Sequence, residues 1–179
     1  MRTCEEAKSE GIIYVGIDVH KRTWHVSIVT NESEELFSSG IPAKWDNLSR
    51  LLSRYTSNTI HVVYEAGYFG YWLHDLLIEH GYHCIVTPPS LIPQEYGNRV
   101  KTDRRDSRKL AYLLAKGLLK RIYVPSEEER SHRQVLRRRR QLIGDRIRTQ
   151  NRIKAELMFY GISLSSIRGN WSKTFMRYL

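Results

Sequence analysis

Ile12-Ile13-Tyr14-Val15-Gly16-Ile17-Asp18 is a nearly continuous apolar run that is rich in β-branched residues and ends in an acid. Such a run indicates a strand that is buried on both faces of a sheet. Residues 19–23 are polar and predict a turn. Residues 24–29 then alternate apolar and polar side chains, which predicts a half-buried second strand antiparallel to the first. The chain therefore opens with two neighbouring strands of one sheet.

Strands and helices are predicted to alternate over the next hundred residues. We expect strands at 35–39, 60–65 and 84–87, helices at 42–55, 71–80 and 106–119, a loop at 90–102 and an extended exit at 122–125. Antiparallel strands followed by strand–helix alternation favour an α/β fold with a mixed sheet and flanking helices.

The positive charge of the chain is concentrated in its last third. The 29 lysines and arginines exceed the 19 acids, so the formal net charge is +10. Residues 126–179 hold 13 of these basic residues and only 5 acids. An excess of this kind usually meets a polyanion, most often nucleic acid, although a basic surface can also serve solubility alone.

Residues 126–160 are predicted to form one long basic helix. Ser126 can cap its start, and three glutamates follow in the first turn. A seven-residue apolar repeat, imperfect because Gln150 interrupts it, predicts a coiled-coil seam. Its members are Leu136, Ile143, Gln150 and Leu157. We therefore expect a homo-oligomer that assembles through this helix.

Four acidic residues stand at the ends of predicted elements. Asp18 ends the first strand and Glu65 ends a later one. Asp103 and Asp106 lie three residues apart near the start of a helix, which places them on one face. If the two strands are neighbours, the four carboxylates converge at one sheet edge. There they can hold hard divalent cations, Mg²⁺ or Mn²⁺, and two such ions can assist a phosphodiester displacement. Each acid also has a structural role open to it, as a turn former, a salt-bridge partner or a helix cap.

Basic residues surround the acid pair and recur along the long helix. A role in gripping phosphate is open to them, and local neutralisation of the acids is the alternative. The candidate nucleic-acid-binding residues are Lys21, Arg99, Lys101, Arg104, Arg105, Arg108, Lys109, Arg137, Arg138 and Arg140. His20 stands beside Asp18 and could also touch a phosphate, whereas the other histidines are interpreted as ordinary.

Aromatic residues follow Glu65 closely, at positions 68, 69, 71 and 72. Stacking on nucleic-acid bases is one interpretation. Packing of the next helix is the alternative, and it is favoured for Phe69 and Trp72.

Three stretches together resemble a known family. They are Gly16-Ile17-Asp18-Val19-His20-Lys21, Tyr64-Glu65-Ala66-Gly67 and Lys101-Thr102-Asp103-Arg104-Arg105-Asp106-Ser107-Arg108-Lys109-Leu110-Ala111. They are similar to the three signatures of the DEDD transposases, the insertion-sequence family numbered one hundred and ten, which also includes pilin-gene invertases. The resemblance covers roughly residues 12–160, and its third stretch is the most specific.

The resemblance implies an RNase H-like (RuvC-like) catalytic domain at 12–125, after a flexible N-terminus at 1–11. It implies that Asp18, Glu65, Asp103 and Asp106 are the catalytic acids that bind metal for DNA cleavage and strand transfer. Residues 126–160 would be the coiled-coil segment of the family. Residues 161–179 would begin a second domain, whose serine nucleophile we assign to no residue here. DNA is the implied partner, and a structured guide RNA is a further one.

Three other classes of protein remain open from the sequence. An ATP-handling protein of the actin and sugar-kinase type also starts with a strand that ends in Asp, but Val19-His20-Lys21 lacks the small glycines that such a site needs. A Holliday-junction nuclease shares the RuvC-like scaffold. A non-catalytic nucleic-acid-binding module would use the acids as caps and salt bridges.

The sequence also predicts where the protein works. No apolar run approaches the about 18 residues of a membrane span. Cys4 and Cys84 have neither zinc nor disulfide spacing. We therefore expect a cytoplasmic protein with reduced thiols and no membrane partner.

Overall fold

The computed structural model describes residues 11–93, 102–162 and 171–178 of the chain. Contacts divide the chain into two compact units, Met1–Val124 and Pro125–Leu179. The first unit contains β1 (Ile12–Val19), β2 (Thr23–Thr30), β3 (Glu35–Pro42), α1 (Trp45–Leu52), β4 (Thr59–Glu65), α2 (Trp72–Glu79), β5 (His83–Thr87) and α3 (Asp103–Ala115). The second contains α4 (Glu127–Phe159) and the short α5 (Lys173–Tyr178).

The five strands form one mixed sheet in the order β3-β2-β1-β4-β5. β1, β2 and β3 are antiparallel neighbours. β4 and β5 run parallel to β1 on its other side. This topology, with helices on the sheet, confirms the predicted RNase H-like α/β fold, and the long helix that follows it is also confirmed.

Apolar side chains cover both faces of the sheet. On one face, the strands pack against buried leucines of α1 and α2, such as Leu52 and Leu77. On the other face, Val63 of β4 packs against Leu110 and Leu113 of α3. Successive residues of a strand point to opposite faces. The apolar run of the central strands therefore serves two cores at once.

Gly16 allows α3 to lie directly against β1. A Cβ atom at this position would stand 2.0 Å from the carbonyl oxygen of Ser107 and 2.5 Å from the backbone nitrogen of Ala111. Both atoms belong to the backbone of α3, so they could not turn away as a flexible side chain does. The absence of a side chain at residue 16 thus sets how closely α3 approaches the sheet.

Two helices differ in extent from the sequence expectation. The helix expected at 42–55 begins at Trp45, because β3 continues to Pro42, which lies opposite Thr23. The helix expected at 106–119 is α3, at Asp103–Ala115. It starts earlier because the Thr102 side chain accepts a hydrogen bond from the backbone N–H of Arg105. Most of the loop expected at 90–102 lies outside the described residues.

α4 is held by local signals along its 33 residues. Ser126 and Glu129 form a reciprocal capping box at its start. No residue of α4 is buried, and Leu136 in the predicted coiled-coil seam is 65 % exposed. The coiled coil therefore stays a prediction.

Among the described residues, no helix combines the length and the apolarity that crossing a membrane requires.

Candidate metal centre

Asp18 and Glu65 come from the two central parallel strands of the sheet. Ile17 lies opposite Tyr64 in the register of β1 and β4, and each is followed by one of the two acids. Asp18 and Glu65 therefore lie side by side at the carboxyl edge of the sheet. The Asp18 side chain is only 18 % exposed, whereas Glu65 is exposed.

α3 brings Asp103 and Asp106 to the same edge. Both acids lie in its first turn, and the helix packs across β1 and β2. Asp103 is exposed and Asp106 is half-buried. Both carboxylates act electrostatically on Asp18. The close approach of Gly16 to the backbone of α3 holds the start of this helix beside the end of β1.

His20 adds an imidazole to this group of acids. Its Nε2 lies 3.0 Å from Oδ2 of Asp18, to which the ring N–H donates a hydrogen bond, and 3.7 Å from Oδ1 of Asp103. One ligand atom each of Asp18, His20 and Asp103 lies within 4.8 Å of the others. This set of oxygen and nitrogen donors is compact enough to surround one small cation. From the sequence alone, only a phosphate contact is expected for His20.

The environment of Asp18 works against its own ionisation. Burial raises the pKa of this carboxyl above its ordinary value, and the like charges of Asp103 and Asp106 add to the shift, while His20 opposes it. A cation at this edge would relieve the repulsion between the carboxylates.

A chain of hydroxyl groups lies beneath the acids, between β2 and α3. Ser107 of α3 is fully buried, and its Oγ lies 2.9 Å from Oγ of Ser27 and 3.0 Å from Nδ1 of His25. Ser27 in turn lies 3.0 Å from the hydroxyl of Ser38 on β3. Burial lowers the pKa of His25. These contacts tie the first turns of α3 to two strands.

From the sequence alone, His25 is expected to be an ordinary histidine, and no pattern points to Ser107. The strand pattern contained a signal for His25, because it lies opposite Asp18 in the β1–β2 register and shares its face. Ser107 could not be found in this way, since its contacts depend on where α3 crosses the sheet.

The structure divides the candidate nucleic-acid-binding residues into several groups. Arg104 and Arg108 pair with Glu35 of β3, at 3.5 Å and 3.2 Å. Lys21 and Arg105 are exposed near the acids, and Lys109 is half-buried. Arg137, Arg138 and Arg140 are exposed on α4, and Arg99 and Lys101 lie outside the described residues.

Comparison with known proteins identifies the family. The family model for DEDD transposases of the IS110 type, described as "Transposase", matches residues 15–162. The chain belongs to this transposase family. The expected resemblance is therefore confirmed over most of the chain, including the two strands and the helix that carry the four acids.

Individual transposase relatives match at moderate identity. The transposase for insertion sequence element IS1533 of Leptospira borgpetersenii is 32 % identical over 174 residues, which cover 93 % of this chain and 49 % of the relative. The protein y4qE of Sinorhizobium fredii, which has "transposase" in its name, is 33 % identical over 170 residues, or 93 % of this chain and 43 % of that protein. The chain thus spans about half the length of the curated relatives it matches.

Proposed function

We propose that this chain carries the metal-binding part of an enzyme that cleaves and transfers DNA strands in transposition or site-specific recombination. The observation that supports the proposal most strongly is that Asp18 of β1 and Asp103 of α3 lie together with His20 at one sheet edge, beside the end of β4 that carries Glu65, in a member of a transposase family. Metal-dependent phosphodiester chemistry needs several carboxylates at one place, because a single one cannot hold two cations.

The residues at this edge fit a hard divalent cation. Asp18, Glu65, Asp103 and Asp106 would hold Mg²⁺ or Mn²⁺, in one or two ions, with His20 at hand beside Asp18 and Asp103. A bound ion of this kind would polarise a phosphodiester and favour deprotonation of the attacking group. The raised pKa of Asp18 supports the assignment, because a group of carboxylates that destabilises its own charge gains most from a cation.

The basic residues of the chain would bind and orient the nucleic acid. Exposed Lys21 and Arg105 near the acids would hold the phosphates on either side of the reacting one. The exposed arginines of α4 would add phosphate contacts that do not depend on sequence. DNA is the proposed substrate and a guide RNA a further partner, and assembly into a homo-oligomer would use the apolar seam of α4.

Calorimetry of Mn²⁺ binding tests the proposal. We would compare the wild-type chain, Asp18→Ala and Asp46→Ala, each with and without a short DNA duplex. Asp46 is the matched control, because it is an exposed acid in the first turn of another helix, α1. Wild type and Asp46→Ala are expected to bind Mn²⁺. Asp18→Ala should bind at least about tenfold more weakly, since loss of even an outer partner of a metal ligand has that effect.

Equal binding by Asp18→Ala and wild type would overturn the metal assignment. If no form responds to Mn²⁺ even with duplex present, the carboxylates are structural, and the chain is a basic nucleic-acid-binding module. Circular dichroism of each variant verifies that the first unit, Met1–Val124, which we call the α/β unit, is folded.

A further inference from the structure

A tight turn displays two aromatic rings immediately after Glu65. Sheet pairing continues to Ala66, whose N–H donates to the carbonyl of Thr87 at 2.8 Å. The chain then reverses, and the N–H of Gly70 donates to the carbonyl of Gly67 at 3.3 Å. Tyr68 and Phe69 are the two central residues of this turn, at the sheet edge that carries the acids.

The turn is fixed in place by the strand before it. The hydroxyl of Tyr64, a buried residue of β4, donates to the carbonyl of Gly70 at 3.4 Å. Gly70 has a φ of 73°, in the left-handed region that favours glycine. The aromatic pair is therefore presented by an ordered backbone that is joined directly to the strand of Glu65.

The two rings stack on each other and leave one of them open to solvent. Their centroids are 4.1 Å apart with an angle of 32° between the planes, and Tyr68 is 82 % exposed. Trp72, the next large aromatic residue, packs on Trp24 at 5.7 Å instead. Phe69 thus supports the Tyr68 ring from one side, and this support reduces the conformational freedom that Tyr68 would lose on binding.

We propose that Tyr68, supported by Phe69, stacks on an unpaired nucleobase next to the phosphodiester held at the acidic edge. This inference rests on the proposed function. A nucleobase is a planar ring of the size of the open Tyr68 face, and stacking on aromatic side chains is how proteins bind single-stranded segments. Bases inside a duplex stack on their neighbours, so only a flipped, frayed or single-stranded base can use this face.

The surroundings of the turn favour a base over a protein partner. Glycines, which add no side chain, flank the pair at positions 67 and 70, and the nearby Trp72 packs on Trp24 and is 42 % exposed. A stable protein interface buries about 1,200 Å² or more and needs a broader patch. The basic character of the chain and the adjacent acids both suit a phosphate backbone with a cation.

Fluorescence of 2-aminopurine tests the proposal on the whole chain. The probe is a short DNA duplex with a single-stranded overhang that carries one 2-aminopurine, moved through the overhang in separate samples. A dye on the far end reports binding by anisotropy. The variants are Tyr68→Ala, Tyr68→Phe, which keeps the ring, and Tyr123→Ala, a control at a tyrosine that is 68 % exposed.

We expect wild type to quench 2-aminopurine at one overhang position, because stacking quenches this base. Tyr68→Ala should lose the quenching and bind the overhang roughly tenfold more weakly, while Tyr68→Phe and Tyr123→Ala keep both signals. A fully paired probe should show neither the quenching nor the sensitivity to residue 68. Thermal melting should be the same for Tyr68→Ala and wild type, since the side chain is exposed.

Three outcomes would overturn the inference, and they differ in what else they affect. Unchanged quenching and affinity in Tyr68→Ala would remove the role of Tyr68 and leave the proposed function intact. If wild type binds none of the probes, both the role of Tyr68 and the proposed function are contradicted. A change in sedimentation of Tyr68→Ala with unchanged binding of DNA would assign the turn to contact with a second copy of the chain, which also contradicts a nucleobase site.

Discussion

The α/β unit and the long helix α4 obtain their structure in opposite ways. Among the described residues of the α/β unit, 22 apolar residues are buried, and two central strands are covered on both faces. α4 runs for 33 residues without a buried side chain. Its order comes from its capping box and the helix propensity of its residues. Packing thus defines the first unit, and local signals define the second.

The α/β unit and α4 also differ in whether their basic residues are paired with acids. Arg104 and Arg108 of the α/β unit are paired with Glu35, while α4 after residue 130 has only Asp145 and Glu156 against a long row of exposed arginines. Basic residues of the first unit are therefore partly used in holding the fold. Arg137, Arg138 and Arg140 of α4 are exposed to solvent, where a polyanion can reach them.

Alanine at a glycine should have opposite effects in the two units. Gly16→Ala is expected to lower the free energy of unfolding of the α/β unit by about 3 kcal/mol, because the new Cβ meets the backbone of α3 and either the helix or the strand must shift. Gly144→Ala in α4 should stabilise the helix by about 0.5–1 kcal/mol, since a Cβ there meets only the flexible end of Arg148.

Urea unfolding followed by tryptophan fluorescence measures the first effect, because three of the four tryptophans belong to the α/β unit. Helical circular dichroism on heating measures the second. A neutral Gly16→Ala would mean that α3 does not lie against β1 as closely as this structure has it.

Arginines of α4 should contribute more to nucleic-acid affinity than the paired arginines of α3. Replacing Arg137, Arg138 and Arg140 together by Gln is expected to weaken binding to duplex DNA by about tenfold or more. It should also reduce the slope of log affinity against log salt by up to about 2–3, since each phosphate contact contributes about 0.9. Arg104→Gln with Arg108→Gln should change the slope less. Fluorescence anisotropy at several salt concentrations measures both the affinity and the slope. An equal change of slope in the two variants would contradict the expected difference between the arginines of α4 and those of α3.

Removal of a buried hydroxyl should lower the free energy of unfolding more than removal of an exposed one. Ser107→Ala is expected to lower the free energy of unfolding by about 1–2 kcal/mol, because buried Ser27 and half-buried His25 each lose a hydrogen-bond partner. Ser131→Ala on α4 is the control. Its hydroxyl donates to the carbonyl of Glu127 in an exposed turn, and the substitution should change stability by less than about 0.5 kcal/mol. Equal costs in urea unfolding would show that the hydroxyl chain does not fasten α3.

The strands and the position of the acids could be predicted because their signals are local. The run that ends at Asp18 has the composition of a strand buried on both faces, and a strand that ends in Glu65 follows the same rule. The third stretch added specificity, because the family pattern places Asp103 and Asp106 three residues apart. The predicted start of α3 lies three residues too late, because the sequence pattern does not reveal Thr102 as its cap.

Contacts between distant parts of the chain could not be predicted. The pairing of Arg104 and Arg108 with Glu35 joins residues about seventy positions apart and depends on where α3 crosses β3. The place of His20 between two carboxylates depends on the side-chain conformation after the turn begins. Register and helix crossing are tertiary properties that no short window of sequence contains.

The smallest expected effect concerns the charge of Asp18 in metal-free buffer. Its pKa is raised in the folded state, so the unfolded chain loses this proton at lower pH, and ionisation costs stability as the pH rises above the ordinary value. Asp18→Asn should therefore be more stable than wild type at pH 7. The difference should shrink at low pH, where the Asp18 carboxyl of wild type is protonated in both the folded and the unfolded chain. Asp46→Asn, at the exposed start of α1, should instead be slightly less stable, because it loses a favourable interaction with the helix dipole. Urea unfolding of the three proteins at several pH values, with a chelator present, measures these differences. If wild type is instead more stable than Asp18→Asn at pH 7, the acidic edge of the sheet favours ionisation of Asp18. The electrostatic difference between Asp18 and the exposed Asp46 of α1 would then be contradicted.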